Sequence, residues 1–246
     1  MRRLFNIRKK SRSPEDGIFF EKITAILGFK PLELKHYQKA FTHRSTNKVD
    51  DKGNPFNYER LEFLGDAMLG SVIAAYLYNE VPSGDEGYLT KMRSKIVSRE
   101  HLNELGRDFN LVGFVASKVH SNQFGENIHG NLFEAFIGAI YLDRGFEYCE
   151  KFIHTKIIKK YVDIAKLEGK VISYKSLIIE WCQKEKFSFS FDFVEDNGIE
   201  GQKYFGVKLT INQKVIAKAR ATSKKKAEEK ASQRAYFALQ EKISQK

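Results

Sequence analysis

Near residue 172 the apolar residues of this chain change their period, and no single fold satisfies both patterns. From about residue 19 to residue 161 they recur three and four apart between short polar connectors, with no convincing alternation, as packed helices require. Beyond it, a helical stretch over 173–184 carries Leu177, Ile178 and Trp181 as its apolar stripe. Phe187, Phe189, Phe191 and Phe193 then alternate with Ser188, Ser190 and Asp192, the pattern of a half-buried strand. Val207, Leu209 and Ile211 repeat the alternation, Asn212-Gln213 reads as a turn, and residues 215–221 form a third strand. A last helix spans 224–241, capped by Thr222 or Ser223. The expectation is an all-α domain over 18–164, a linker over 165–172, and a small α+β domain of order α-β-β-β-α over 173–241. A chain of 246 residues has room for each domain to bury its own core.

Composition narrows the partners. The net charge of +11 favours a polyanion, nucleic acid before an anionic membrane. Residues 1–17, with Arg2, Arg3, Arg8, Lys9, Lys10 and Arg12, read as a basic, disordered tail without the apolar segment of a secretory signal. No apolar run is long enough to span a bilayer, so a membrane partner is not expected. Cys149 and Cys182 support neither a disulfide framework nor a zinc spacing, and the expected location is cytoplasmic.

The run Glu59-Arg60-Leu61-Glu62-Phe63-Leu64-Gly65-Asp66-Ala67 bears most directly on chemistry. At about 100° per residue, Glu59, Glu62 and Asp66 share an arc of roughly 60°, with Leu61, Leu64, Met68 and Val72 expected on the opposite, core-facing side. Side chains three and four apart approach to about 5–6 Å, where two carboxylates repel by roughly 3 kcal/mol at an effective dielectric near 20. Either water solvates this face, or a hard divalent cation that accepts carboxylate oxygens occupies it. Phe63, about 40° from Glu59, places a large aromatic beside the acids, which suits an interface.

A second acid stands out in the helix starting near Asn131, where Leu132, Phe133, Ala135, Phe136, Ile137, Ala139 and Ile140 leave little polar surface. Glu134 therefore needs a partner, a buried ion pair or a metal ion. Asn131, Glu134 and Gly138 share one face, and these positions can meet Glu62 and Asp66 across a helix pair. At the other end of the chain, Lys224, Lys225 and Lys226 begin the last helix, against the macrodipole, as a bound phosphate would favour. His43, Cys182 and the Phe187–Phe193 alternation read as structural.

These motifs resemble those of the ribonuclease III family. The run from Glu59 resembles the family signature. Phe41-Thr42-His43-Arg44-Ser45 resembles the short motif upstream of it, and Asp85-Glu86-Gly87-Tyr88-Leu89-Thr90 the segment that follows. Asn131-Leu132-Phe133-Glu134-Ala135-Phe136-Ile137-Gly138 resembles the second acidic motif, and the C-terminal pattern resembles a double-stranded-RNA-binding domain. Together they cover nearly the whole chain in the family's order.

The resemblance implies an endoribonuclease that hydrolyses phosphodiesters of double-stranded RNA with Mg²⁺ (Mn²⁺ as a substitute), leaving 5′-phosphates and short 3′ overhangs. It implies no small-molecule cofactor. By the family pattern Glu62, Asn131 and Glu134 bind metal, Asp66 positions or activates water, and Glu59 and Glu86 are the remaining acids of the site, in supporting or RNA-facing roles. The same pattern makes the enzyme a homodimer with Phe63 at the contact. Lys224, Lys225, Lys226, Glu180, Gln202 and Lys203 would face RNA, read by its A-form shape. The loop around Gly201 lacks the histidine that relatives often carry there. Ribosomal RNA precursors and structured messages are the implied substrates, within rRNA, mRNA and tRNA processing. Asn131 departs from the family's usual aspartate, keeping a carbonyl oxygen but removing one charge. The alternative is a catalytically inactive double-stranded-RNA-binding protein with the same fold. A di-metal enzyme for a small substrate fits poorly, since histidine ligands are missing from these motifs.

Overall fold

The computed structural model describes residues 13–169, 171, 173–196 and 204–244. The chain divides into two units, residues 1–170 and 171–246. The first contains helices α1 (Pro14–Leu27), α2 (Leu34–Ala40), α3 (Glu59–Glu80), α4 (Glu86–Ile96), α5 (Arg99–Asp108) and α6 (Ile128–Arg144). α7 (Phe146–Phe152) continues through a π-helical stretch, Ile153–Ile158, into α8 (Lys159–Tyr161), and α9 (Ile164–Gly169) follows. Its described residues form isolated bridges but no strand, as the helical period implies.

α6 is the centre of this unit because its sequence is apolar nearly all round. Leu132, Phe133, Phe136, Ile137 and Ile140 are fully buried, and α2, α3 and α5 pack around them. Phe136 lies 5.8 Å from the rings of both Tyr37 and Phe41 and 5.7 Å from that of Phe152. At the end of α6, buried Asp143 accepts hydrogen bonds from the Leu32 and Glu33 amides and the Tyr37 hydroxyl, at 3.0, 2.6 and 2.9 Å. This satisfies an otherwise costly buried charge and fixes the start of α2.

The α3–α6 crossing depends on two glycines. A methyl group on Gly65 would collide with the Glu134 carbonyl, and one on Gly138 with the Leu61 carbonyl, so the two backbones touch. That contact turns α3 away from the expected orientation. Its buried stripe is Leu61, Gly65, Leu69, Val72, Ile73 and Leu77, while Leu64 and Met68 are only partly covered. The acids consequently border the buried face instead of opposing it. α3 has the length and mean hydropathy of a bilayer-crossing helix. It is a core helix here, with three acids in its first turns and α6 packed against it.

Two expected boundaries move. The tail was expected to reach residue 17, but α1 starts at Pro14, with the Ser13 hydroxyl accepting from the Asp16 amide as its cap. The linker expected over 165–172 is helical through Gly169 and attached to the first unit. Buried Lys95 donates to the Leu167 and Glu168 carbonyls at 2.6 and 3.0 Å, closing the end of α9, and the Tyr88 hydroxyl donates to the Glu168 carboxylate at 2.8 Å.

The second unit runs α10 (Tyr174–Lys184), β1 (Phe189–Asp196), β2 (Tyr204–Ile211), β3 (Lys214–Ala221), α11 (Lys224–Ala238) and α12 (Gln240–Ser244). The strands form one antiparallel sheet in sequential order. Asn212 and Gln213 both take left-handed φ, 48° and 64°, as a tight two-residue hairpin demands. Ala227, Ala231 and Ala235 let α11 settle closely on the sheet, beside Ile178 and Cys182. Glu229 caps α10, accepting from the Tyr174 amide at 2.6 Å and the Ser173 hydroxyl at 2.9 Å.

Candidate active site

The helix crossing that excludes a methyl at Gly65 brings the two acidic motifs face to face. Glu59, Glu62 and Asp66 from α3 and Asn131 and Glu134 from α6 line one cavity of about 500 Å³, with Phe63, Arg99, Asn103 and Asn127 among its other walls. Its donors on these two helices are four carboxylates and an amide oxygen. Burial is the main reason the Glu134 carboxyl is pushed up to about 7. The Asp66 and Glu62 charges add to the push, and Arg99 opposes it. Glu62 is raised for the same kinds of reason, burial first, then Glu59, with Arg99 again opposing. Among the described residues the carboxylates of Glu62, Asp66 and Glu134 make no hydrogen bond or ion pair within the chain.

This donor set fits a hard divalent cation, which takes oxygen ligands and relieves mutual carboxylate repulsion. No three His, Cys, Asp or Glu side chains are drawn to metal-holding distances among the described residues. Like charges around an open cavity favour separation. Asn131 fits as a neutral oxygen donor, and the phenol of Tyr58, raised in pKa by burial first and then by Glu62 and Glu59, stands near it.

The upstream motif supports this cavity from behind. The His43 ring lies 5.9 Å from that of Tyr58 and 4.9 Å from that of Phe124. Its Nδ1 contacts the Ser45 hydroxyl at 2.9 Å, and that hydroxyl also meets Ser117 Oγ at 3.1 Å. Burial first, then Arg44, lowers the His43 pKa, so a neutral, packed ring joins the start of α3 to the loop leading into α6. Arg44 reaches Glu59 at 3.6 Å, an exposed pair that Arg60 could not make from its side of the helix.

The remaining expected residues divide clearly. Phe63 is 81% exposed at the rim of the cavity. Glu86 is not among the residues lining it: as the first residue of α4, it accepts a hydrogen bond from the Thr90 hydroxyl at 3.0 Å on its own helix. In the second unit Lys224, Lys225 and Lys226 are exposed in the first turn of α11, where Ser223 accepts from the Lys226 amide as cap. Lys224 Nζ lies 5.1 Å from the ring centre of Phe193, so the last aromatic of the strand is exposed beside the lysines instead of buried. Glu180 is exposed on α10. Gln202 and Lys203 lie outside the described residues.

Sequence reasoning missed Tyr58, Arg99, Asn103 and Asn127. Asn103 accepts from the Gly130 amide at 2.8 Å and donates to Asn127 Oδ1 at 3.2 Å, holding the first turn of α6. Only Arg99 left a signal, a cation in the first turn of a helix, against its dipole.

A profile described as Ribonuclease-III-like matches residues 34–161, and one described as a double-stranded RNA binding motif matches residues 174–239. The chain is 73% identical to Ribonuclease 3 of Flavobacterium psychrophilum over 236 residues, 96% of each chain. It is 66% identical to Ribonuclease 3 of Zunongwangia profunda, over 95% of this chain and 96% of that one. The solved nuclease domain of ribonuclease III from Campylobacter jejuni superposes with a TM-score of 0.50 at 31% identity, covering 58% of this chain and 98% of that one. An acid-lined cavity of oxygen donors in a helical unit, followed by an α-β-β-β-α unit, defines a divalent-metal-dependent nuclease with an RNA-binding module. The chain belongs to the ribonuclease III family.

Proposed function

We propose that this protein is an endoribonuclease that hydrolyses phosphodiester bonds within double-stranded RNA, with Mg²⁺ as its working ion and Mn²⁺ as a substitute. The observation that carries the reading is the meeting of Glu62 and Asp66 with Asn131 and Glu134 around one cavity. Glu62, Asn131 and Glu134 would hold the ion, which when bound supplies Lewis acidity toward water and the phosphodiester. Asp66, beside them in the same cavity, orients the attacking water and takes its proton. Glu59, partly neutralised by Arg44, supports the charge balance at the rim. Lys224, Lys225 and Lys226 hold duplex phosphates at the start of α11, and Glu180 faces a minor groove.

The exposed Phe63 suits burial against a second copy, so that two cavities face the two strands of one duplex. Staggered cuts with 5′-phosphates and short 3′ overhangs follow from that pairing. Precursors of ribosomal RNA and structured messages are the proposed substrates.

A second reading, an RNA binder that has lost catalysis, is favoured by one residue, the neutral Asn131. Incubating a long RNA duplex and Mg²⁺ with wild type, Glu134→Gln and Asn131→Asp separates the two. Short duplex products from wild type but not from Glu134→Gln support the nuclease. Binding without cutting by wild type, with cutting restored only in Asn131→Asp, would establish the inactive binder.

A further inference from the structure

An active cavity with four carboxylates has an electrostatic problem that a divalent ion only partly solves: its substrate is a polyanion. One residue in the cavity wall has the opposite sign. Arg99 is the only lysine, arginine or histidine among the lining residues described, and nothing in the family motifs drew attention to it.

Three observations show that folding does not account for Arg99. It is the first residue of α5, where a positive charge opposes the helix dipole, and Ser98 already caps that helix through the His101 amide. It lies within 4 Å of no carboxylate and makes no side-chain hydrogen bond among the described residues. It is exposed, so it covers no core surface. Yet its charge reaches the cavity, where it opposes the upward push on both Glu62 and Glu134. The result is a guanidinium with its donors free, held near the carboxylates but not paired with them.

We propose that the Arg99 guanidinium binds a backbone phosphate of the RNA strand entering the cavity, as the substrate-phosphate contact of the catalytic unit. A planar fork of N–H donors matches phosphate oxygens two at a time, which an ammonium group cannot do. The contact also places a positive charge where the RNA backbone would otherwise meet only carboxylates. The proposal rests on the nuclease reading, but it concerns binding, and binding can be measured without turnover.

The test uses the full-length protein in EDTA with a fluorescent 20-base-pair RNA duplex, titrated at several KCl concentrations. Wild type, Arg99→Gln and Arg99→Lys are compared. Loss of one phosphate contact is expected to weaken binding about five- to tenfold and to reduce the slope of log K against log salt by about one. Lysine should restore the slope but only part of the affinity, because it keeps the charge and loses the fork. An unchanged slope and affinity in Arg99→Gln would overturn the proposal, leaving Arg99 as a screen for the acids. Dissociation of a dimer by Arg99→Gln in sedimentation, with no change of slope, would overturn it in favour of a subunit contact. Wild-type cleavage with Mg²⁺ is scored in parallel. A changed slope without any cleavage keeps the phosphate contact and rejects the nuclease reading, whereas cleavage with an unchanged slope rejects only the contact.

Discussion

Replacing Glu134 by glutamine should abolish cutting and yet make the ion-free protein more stable. Burial, then Asp66 and Glu62, push the Glu134 carboxyl from its ordinary 4.5 up to about 7. A carboxyl with a raised folded-state pKa is favoured by the fold in its protonated form. Its contribution to stability is fully present below about pH 4.5 and is lost as pH rises through about 7. The difference between the two values corresponds to about 3.4 kcal/mol at most. The group is partly open to water, so screening reduces this to about 2 kcal/mol. Glutamine keeps the shape and cannot ionise. In EDTA at pH 8, Glu134→Gln is therefore expected to raise Tm by about 4–8 °C, at 2–4 °C per kcal/mol for a chain of this size. Near pH 4.5 the two proteins should melt together. Mg²⁺ should raise the Tm of wild type, since it binds only the folded cavity, and should raise that of the variant much less. Thermal melts followed by circular dichroism at the two pH values, with and without Mg²⁺, test this directly. A lower Tm for the variant at pH 8, or an offset independent of pH, would refute the reasoning, because Glu134 would then be held by partners that favour its charge.

The other predictions follow from named contacts. Gly65→Ala or Gly138→Ala drives a methyl into the facing backbone carbonyl, and should cost at least about 3 kcal/mol in urea unfolding of the nuclease unit. Tyr58→Phe removes the phenol hydroxyl near the Asn131 side chain; calorimetric titration with Mn²⁺ should show roughly tenfold weaker binding, as for other supports of a ligand residue. Lys224→Gln with Lys225→Gln should weaken duplex binding at every sequence and reduce the salt slope by about one per lost contact. Phe63→Asp should lower the sedimentation coefficient to that of a monomer and reduce double-strand cutting, if the exposed ring is the subunit contact.

Which parts of this molecule its sequence reveals depends on whether the controlling interaction is local. The change of apolar period near residue 172, the Ser223 cap and the Asn212-Gln213 turn are set by neighbours in the chain, and the structure places them within a residue or two of expectation. The face of α3 that becomes buried is set by α6, about seventy residues away, and periodicity alone favoured Leu64 and Met68 over Gly65. The decisive residues there have no side chain: Gly65 and Gly138 carry no hydrophobic signal, yet their lack of a Cβ permits the backbone contact that brings Glu62 and Glu134 together. The same distinction applies to the site. Glu59, Glu62 and Asp66 are visible because they crowd within one helix, whereas Tyr58 becomes legible only once α6 is in place beside α3, and Arg99, odd in a first helical turn, gains its meaning only once α5 stands at the same cavity. Glu86 is the converse case: its motif matched, yet it is not among the residues lining the cavity of the single chain. A fold whose active carboxylates gather where two glycines cross ties catalysis to backbone contact. Any substitution that separates α3 from α6 by the thickness of a methyl group should therefore weaken ion binding before it unfolds the RNA-binding unit, which has a core of its own.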